Sequence, residues 1–547
     1  MFYNKKRVWI LMKRCVLIAF LKCKKEMFFS LICILLLTCS MIACPIGLKY
    51  IVNRFESDSS LKRLIIGIVI MLGIYLIQTG VTIIWNLSLD QLGGKFIMYL
   101  SDDLMKKLVN SDYIDVEAIG VNKVKSILFS DVFDCFRIFG NFIPTIVSSF
   151  FILSFCVAYS FTIEVTTTII IICACLVGLL LTFISRKRLN FVGKKTNIAM
   201  KEIYALDVDF CDNINETKTN QLLDFQINKN EKSMNHFIKT AKKEDFRSFF
   251  WSGIISSYNA IISISVSMFV AFYTKANIIQ NVLFYTVLTS LIISSVEKME
   301  NSLHRVFKLK NSIDNVSLIY SINEYDGEDE IKSIDGLNVN NLSYGFKDNK
   351  VLNDVSLFFE KGDIIKLEGV NGSGKSTLIK LLLKVYLAPI NTIMINGNDY
   401  RKISIKSYLS RILYVGQDEK IQNVALIDYH KNIIDNLDLK KYEEIMSFLD
   451  LDFNKEITDN GLNLSAGQRK KVLLVKLFMS FMNKDVIILD ELFAGLDQKT
   501  KEYLSTFINE QLKDKILIIV NHEDDEIDYT KRISMTDLKL KLEDNTQ

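Results

Sequence analysis

The sequence predicts a polytopic α-helical membrane domain of six transmembrane helices, followed by a cytosolic α/β P-loop domain. Three observations lead there. Six uncharged runs, 27–48, 64–89, 138–163, 165–185, 248–274 and 276–296, each contain at least 21 residues. At about 1.5 Å rise per residue, that length crosses roughly 30 Å of hydrocarbon. Beyond the linker at 323–336 the pattern changes to short β-branched strands alternating with helices, the mark of a parallel sheet. Within that second half, "GVNGSGKST" (369–377) sits between a strand and a helix.

Composition agrees with a chain of two or three domains. Half of the 547 residues are hydrophobic, the mean hydropathy is +0.23, and the excess lies almost wholly before residue 300. A net charge of +4 is small for this length and argues against a nucleic-acid partner. The ten cysteines all fall in the first half, mostly in apolar runs and without zinc spacing, and read as small hydrophobes. The expected division is a cytosolic N-terminus with an interfacial helix (1–26), the six-span domain (27–296), a connecting helix and linker (297–333) and a nucleotide-binding domain (334–547).

Taken in order, residues 8–21 form the interfacial helix, apolar except for Lys13 and Arg14. The first run is too long for a cleavable signal, and 26 preceding residues are too few for a protease domain that could cleave a leader. Glu164 alone separates spans three and four, and Lys275 alone separates five and six. By contrast, 90–137 and 186–247 are long and carry most of the basic residues, including "SRKR". The positive-inside rule therefore puts the N-terminus, both long connections and everything after span six in the cytosol, in a multi-pass bacterial cell-membrane protein.

In the second half, strand "DIIKLEG" leads into the glycine loop and helix "LIKLLLKV". Gly369, Asn371, Gly372, Ser373, Gly374 and Thr377 let backbone N–H groups converge on phosphate, Lys375 reaches the β and γ phosphates, and Ser376 suits Mg²⁺. Strand "DVIILDE" ends in Asp490, suited to a Mg²⁺ shell through water, and Glu491, suited to the general base. "KILIIVNH" brings His522 to the same sheet edge as a γ-phosphate sensor, whereas His236, His304 and His430 read as structural.

The loop, Gln417, "LSAGQ" (464–468), "ILDE", "GLD" (495–497) and His522 follow the order and spacing of an ABC transporter ATPase. With six preceding spans, the whole chain resembles an exporter-type half-transporter of that superfamily. The resemblance implies a P-loop ATPase using ATP and Mg²⁺, with Gln417 both in the catalytic set and, beside Ser376 and Asp490, in the Mg²⁺ shell. It implies that Leu464, Ser465, Ala466, Gly467 and Gln468 act in trans, completing the site of a second chain. Asp497 would link the two sites, Tyr344 would stack on adenine with Phe346 as the competing choice, and the segments near 112–121 and 207–216 would be coupling helices. Ala466 replaces a signature glycine, "DELFAGLD" and "VNH" depart from the commoner wording, and the 25-residue tail after His522 looks abbreviated.

The implied function is ATP-driven export of an amphipathic or hydrophobic peptide or drug-like substrate by a dimer, with a homodimer favoured because one chain holds every motif. The spans carry no charge except at the edges, Asp90 and Glu164, while Gln78, Thr79, Thr82 and Asn86 offer neutral polarity on span two. The alternatives are a membrane ATPase sensor and an importer built on the same fold.

Overall fold

The computed structural model describes residues 21–536, apart from 58–60, 274–277, 347–348, 417–418, 435, 453, 459–460 and 522–525. The expected interfacial helix at 8–21 thus lies almost wholly outside the described residues, as do Gln417 and His522. The chain divides into two compact units: Met1–Asp103 with Ser126–Ser317, and Leu104–Lys125 with Leu318–Gln547.

The first unit is helical. Its elements are α1 (Lys24–Ser57), α2 (Leu61–Val109), which runs on into the second unit, and then, after α3 (Tyr113–Ile119) and α4 (Val121–Ser126), α5 (Val132–Phe136), α6 (Ile143–Ile163), α7 (Val165–Asp212), α8 (Ile214–Thr219), α9 (Leu223–Tyr273), α10 (Ile278–Lys308) and α11 (Lys310–Tyr320). Each expected span lies largely on one of these helices; the third begins in a π turn at 138–142, and 274, 276 and 277 of the last two lie outside the described residues. Among the described residues five segments are long and apolar enough to cross a membrane, and the start of α7 is apolar over Val165–Gly178.

The spans pack through named contacts. Ile152 and Cys156 of α6, Ile171 of α7, Val266 and Val270 of α9, and Phe284, Tyr285 and Leu288 of α10 form one buried cluster. The Tyr285 hydroxyl lies 3.3 Å from Thr167 Oγ1, and Ser160 and Thr168 hydroxyls pair at 2.7 Å. Such bonds hold helices together where hydrophobicity cannot. Glu164 has φ −158 and ψ 125, so one extended residue suffices to break the chain between α6 and α7. Two π turns, Ile127–Asp131 and Arg137–Phe142, interrupt the helix entering α6. Between them the Phe136 ring seats so closely that a Cβ on Gly93 or Gly140 would come within 2.6 Å or 2.3 Å of it.

The second unit is two-layered. A parallel sheet runs β6 (Ile412–Val415), β7 (Val486–Asp490), β8 (Ile516–Val520), β3 (Ile364–Glu368) and β9 (Lys531–Ser534). An antiparallel sheet runs β2 (Asn349–Glu360), β1 (Gly336–Phe346), β4 (Ile393–Ile395) and β5 (Asn398–Asp399). The central parallel strands β7 and β8 are nearly continuous apolar runs because both faces are covered: β8 is buried at all five positions. The tail contributes β9, which pairs with β3 in parallel register.

The tip of the first long connection belongs to this unit. Asp112 caps α3 by accepting from Ile114 N–H, 3.1 Å, and its other oxygen accepts from Leu387 N–H, 3.3 Å. Tyr113 N–H donates to Val385 O at 3.1 Å, Tyr325 N–H to Asn110 O at 2.9 Å, and Lys107 pairs with Glu324 at 2.9 Å.

Candidate functional site

Four loops leave the C-terminal ends of adjacent parallel strands, where open α/β sheets bind their ligands. The loop after β3 opens α12 (Lys375–Leu382). Gly372 and Gly374 take φ +83 and +100, which side chains rarely adopt. A Cβ on Gly374 would also meet Leu352 Cδ2 at 2.6 Å, and one on Gly369 would meet Ser373 Oγ at the same distance. Gly369 and Gly374 are therefore required by both backbone and space, and Gly372 by backbone alone. Lys375 folds its ammonium back onto the loop, donating to Gly369 O at 2.5 Å and Val370 O at 3.4 Å. Ser373 is buried, and its hydroxyl finds no hydrogen-bond partner among the described residues. Asn371 and Ser376 are exposed, and Thr377 is half-buried. A cradle with an orphaned hydroxyl and an ammonium satisfied only by carbonyls fits a polyphosphate.

Asp490 ends β7 opposite Val520 of β8. Glu491 follows at φ +53, a left-handed conformation costly for a side chain, and its N–H donates to Val520 O at 2.8 Å. The strands preceding Gln417 and His522, β6 and β8, end at Val415 and Val520 beside it.

Three short helices in this unit, α13 (Ile405–Ser410), α14 (Leu426–Ile433) and α15 (Leu439–Phe448), precede the signature helix α16 (Ala466–Ser480). Ser465 caps α16 in a reciprocal box: its hydroxyl accepts from Gln468 N–H at 3.1 Å, and Gln468 Oε1 accepts from Ser465 N–H at 3.2 Å. This S-x-x-Q box was readable in the sequence. Leu464 is buried in the core while Ser465 and Ala466 are exposed. Gly467 lies so near Gly495 that a Cβ would stand 3.1 Å from its carbonyl oxygen.

Two residues escaped the sequence reading. Lys470 donates to Glu491 O and Ala494 O, both at 2.7 Å, tying α16 to the acidic loop. Lys471 pairs with Asp497 at 2.7 Å. Nothing in the sequence marks a lysine whose partners are backbone carbonyls. Asp497 itself caps α17 (Gln498–Gln511), accepting from Thr500 N–H at 2.9 Å. The Lys471 ammonium and the Thr500 N–H hold its carboxyl well below the usual carboxylate range.

Tyr344 is half-buried. Its hydroxyl is buried without a partner among the described residues, and its ring stacks on Tyr386 at 6.2 Å while meeting Phe346 edge-on at 5.8 Å. Burial first, then the charge of Asp112, pushes the phenol upward. Tyr386 also touches Tyr113 of α3 at 6.3 Å, so these rings run from β1 to the connection tip.

Comparison with known proteins agrees with this geometry. The sequence model described as "ABC transporter" matches residues 352–494, and that described as "ABC transporter transmembrane region" matches 27–296. A putative export ATP-binding/permease protein of Rickettsia typhi is 21% identical over 94% of this chain and 92% of its own length. A probable ABC transporter ATP-binding/permease protein of Haemophilus influenzae is 28% identical, over 35% of this chain and 36% of that protein. A bacterial Atm1-family ABC exporter solved with ATP bound shares the fold, with TM-score 0.78 and 14% identity over 95% of this chain and 96% of that one. With its membrane and ATP-binding domains on one polypeptide, the chain belongs to the ABC transporters as an exporter-type, ATP-hydrolysing translocase.

Proposed function

We propose that two copies of this chain form an exporter that moves an amphipathic or hydrophobic molecule, a peptide or drug-like compound, outward across a bacterial cell membrane. The observation that carries the dimer is the exposed start of α16 at Ser465 and Ala466, pinned from behind to the Glu491 loop by Lys470. A helix start with N–H donors attracts phosphate without needing a charged side chain. It therefore suits the γ-phosphate of ATP held by the glycine loop of a second chain.

In this assembly Lys375 contacts the β and γ phosphates and Glu491 orients the attacking water, with His522 at the γ-phosphate. Ser376 directly, and Asp490 and Gln417 through water, would hold Mg²⁺, which supplies charge neutralisation on the phosphates. The buried Tyr344 hydroxyl favours Phe346 as the ring for adenine. Asp497, joined to α16 through Lys471, relates one site to the other. ATP closes the two nucleotide-binding domains and hydrolysis reopens them, so access alternates as a two-state interface is biased by nucleotide. The basic residues of the N-terminus and long connections support a cytosolic ATPase domain.

Inside-out vesicles test the reading. ATP-dependent accumulation of amphipathic candidates should occur with the native chain and vanish with Glu491→Gln. Accumulation of water-soluble solutes alone, or transport toward the cytosolic face, would overturn the cargo or the direction.

A further inference from the structure

The number of basic residues orients α9 against the membrane, and their arrangement says more. The turns of α9 that lead into the apolar run at 248–274 read "KTAKKEDFRSFFW" (239–251). At about 100° per residue, Lys239, Lys243, Phe246, Arg247 and Phe250 fall on one face of the helix, and Asp245 falls on the opposite one. All five are exposed, Phe246 at 72% and Phe250 at 55%, and the two rings stack with centroids 6.3 Å apart. Lys239, Lys243 and Arg247 stand four residues apart, a spacing at which like charges repel. Among the described residues none of the three makes an ion pair. The neighbouring helix adds to the same charge. The Tyr258 hydroxyl of α9 donates to Ala174 O of α7 at 2.8 Å. Arg247 lies eleven residues before that bond and Ser185 eleven after it, so the "SRKR" stretch of α7 (185–188) begins at the height of Arg247. No acidic residue occurs on α7 before Glu202.

We infer that this face of α9 binds anionic phospholipid where span five meets the headgroup layer. The three cations take the headgroup phosphates, and Phe246 and Phe250 lie along the acyl boundary, the division of labour of a basic amphipathic surface on a bilayer. Charge selects the headgroup: phosphatidylcholine carries its own ammonium and offers such a face no net attraction. The exposed rings select lipid over free phosphate, which has no apolar part to set against them. The site concerns the lipid around the chain and not its cargo, so it stands apart from the exporter reading.

The test uses brominated lipids, which quench tryptophan on contact. In the full-length chain with Trp9→Phe and Trp85→Phe, Trp251 is the one tryptophan left, four residues beyond Arg247. The chain is placed in phosphatidylcholine nanodiscs holding a fixed share of either brominated phosphatidylglycerol or brominated phosphatidylcholine. Phosphatidylglycerol should be preferred roughly fivefold or more, since each basic residue at an anionic surface contributes about that factor, and the preference should shrink as salt is raised. Lys239→Gln/Lys243→Gln/Arg247→Gln should bring the two lipids to equal quenching, whereas Lys239→Arg/Lys243→Arg/Arg247→Lys should keep the preference. If the glutamine variant does not fold, as judged by its thermal midpoint, Lys243→Gln alone is read in its place and should lower the preference. If the tryptophan background fails the same check, all three tryptophans are kept and the glutamine variant is compared with the native chain. Equal quenching by both lipids before the glutamines are introduced, or an undiminished preference after, overturns the inference. Quenching by neither lipid also overturns it and leaves the face to another occupant, a second copy of this chain included.

Discussion

Replacing Lys470 with methionine should cripple turnover while leaving nucleotide binding intact. The side chain keeps its length and apolar stem, so what is lost is the pair of 2.7 Å bonds to Glu491 O and Ala494 O. Hydrogen bonds from a charged donor contribute about 1.5–3 kcal/mol each, and the neutral bond from Glu491 N–H to Val520 O contributes about 1 kcal/mol. Against them stands the left-handed backbone of Glu491 at φ +53, a conformation that costs roughly 1–2 kcal/mol. Without the Lys470 bonds nothing from α16 offsets that cost through these carbonyls, so the loop should relax and the carboxylate shift from its place at the end of β7. If the relaxed loop recovers about half of what the two bonds contribute, the net shift of about 1.5–3 kcal/mol corresponds to a fall in kcat of roughly 10- to 150-fold. Lys470 bonds the loop after β7, whereas the glycine loop follows β3, so ATP affinity should stay within about twofold of native. The assay is steady-state ATP hydrolysis beside equilibrium binding of a fluorescent ATP analogue, with Lys470→Arg as the charge-preserving control. A Lys470→Met chain with native kcat would refute the claim that this lysine holds the Glu491 loop.

Other outcomes follow from the same geometry. Lys375→Ala should weaken ATP binding, whereas Glu491→Gln should bind ATP and accumulate a closed dimer by gel filtration; full turnover by Glu491→Gln would remove it as the general base. Tyr344→Phe removes a buried, unpartnered hydroxyl, so its thermal midpoint should rise or hold and its ATP affinity should not change, while Phe346→Ala should weaken ATP binding roughly tenfold. The reverse pattern would return adenine to Tyr344. His430 is buried with Nε2 donating to Val472 O and Nδ1 accepting from the Tyr442 hydroxyl, both at 3.0 Å. Burial lowers its pKa from 6.5 to about 4, so the unfolded chain binds the proton first. Stability is then fully present above pH 6.5 and is lost as pH falls toward 4, by roughly 3 kcal/mol. His430→Gln should flatten that part of the melting-temperature profile relative to the native chain.

Much of this architecture could be read directly from residues. Run length marked the membrane helices, because crossing hydrocarbon demands about twenty consecutive uncharged residues. Among the described residues five of the segments meet that demand, and the start of α7 is apolar over a shorter stretch. The glycine loop was legible because its strand and helix flank it in sequence. What escaped depends on contacts distant in the chain. Alternation could not say which way Tyr344 points, because the β1–β2 pairing shifts register on both sides of it. Residues 104–125 join the nucleotide-binding unit through bonds to Val385 and Leu387, and no periodicity records a partner more than 250 positions away. Lys470 was invisible for a related reason, since its acceptors are carbonyls that every residue type carries.

The central claim is that each ATP site is built from two chains, the glycine loop of one and Ser465 of the other. It is tested most directly by co-expressing a Lys375→Ala chain with a Ser465→Arg chain and measuring ATP hydrolysis of the purified mixture. If Ser465 acts in trans, each mixed dimer contains one site with both defects and one site with neither, so activity should exceed that of either mutant alone. If Ser465 serves its own chain, every site in the mixture carries a defect, and activity no higher than the separate mutants would contradict the account.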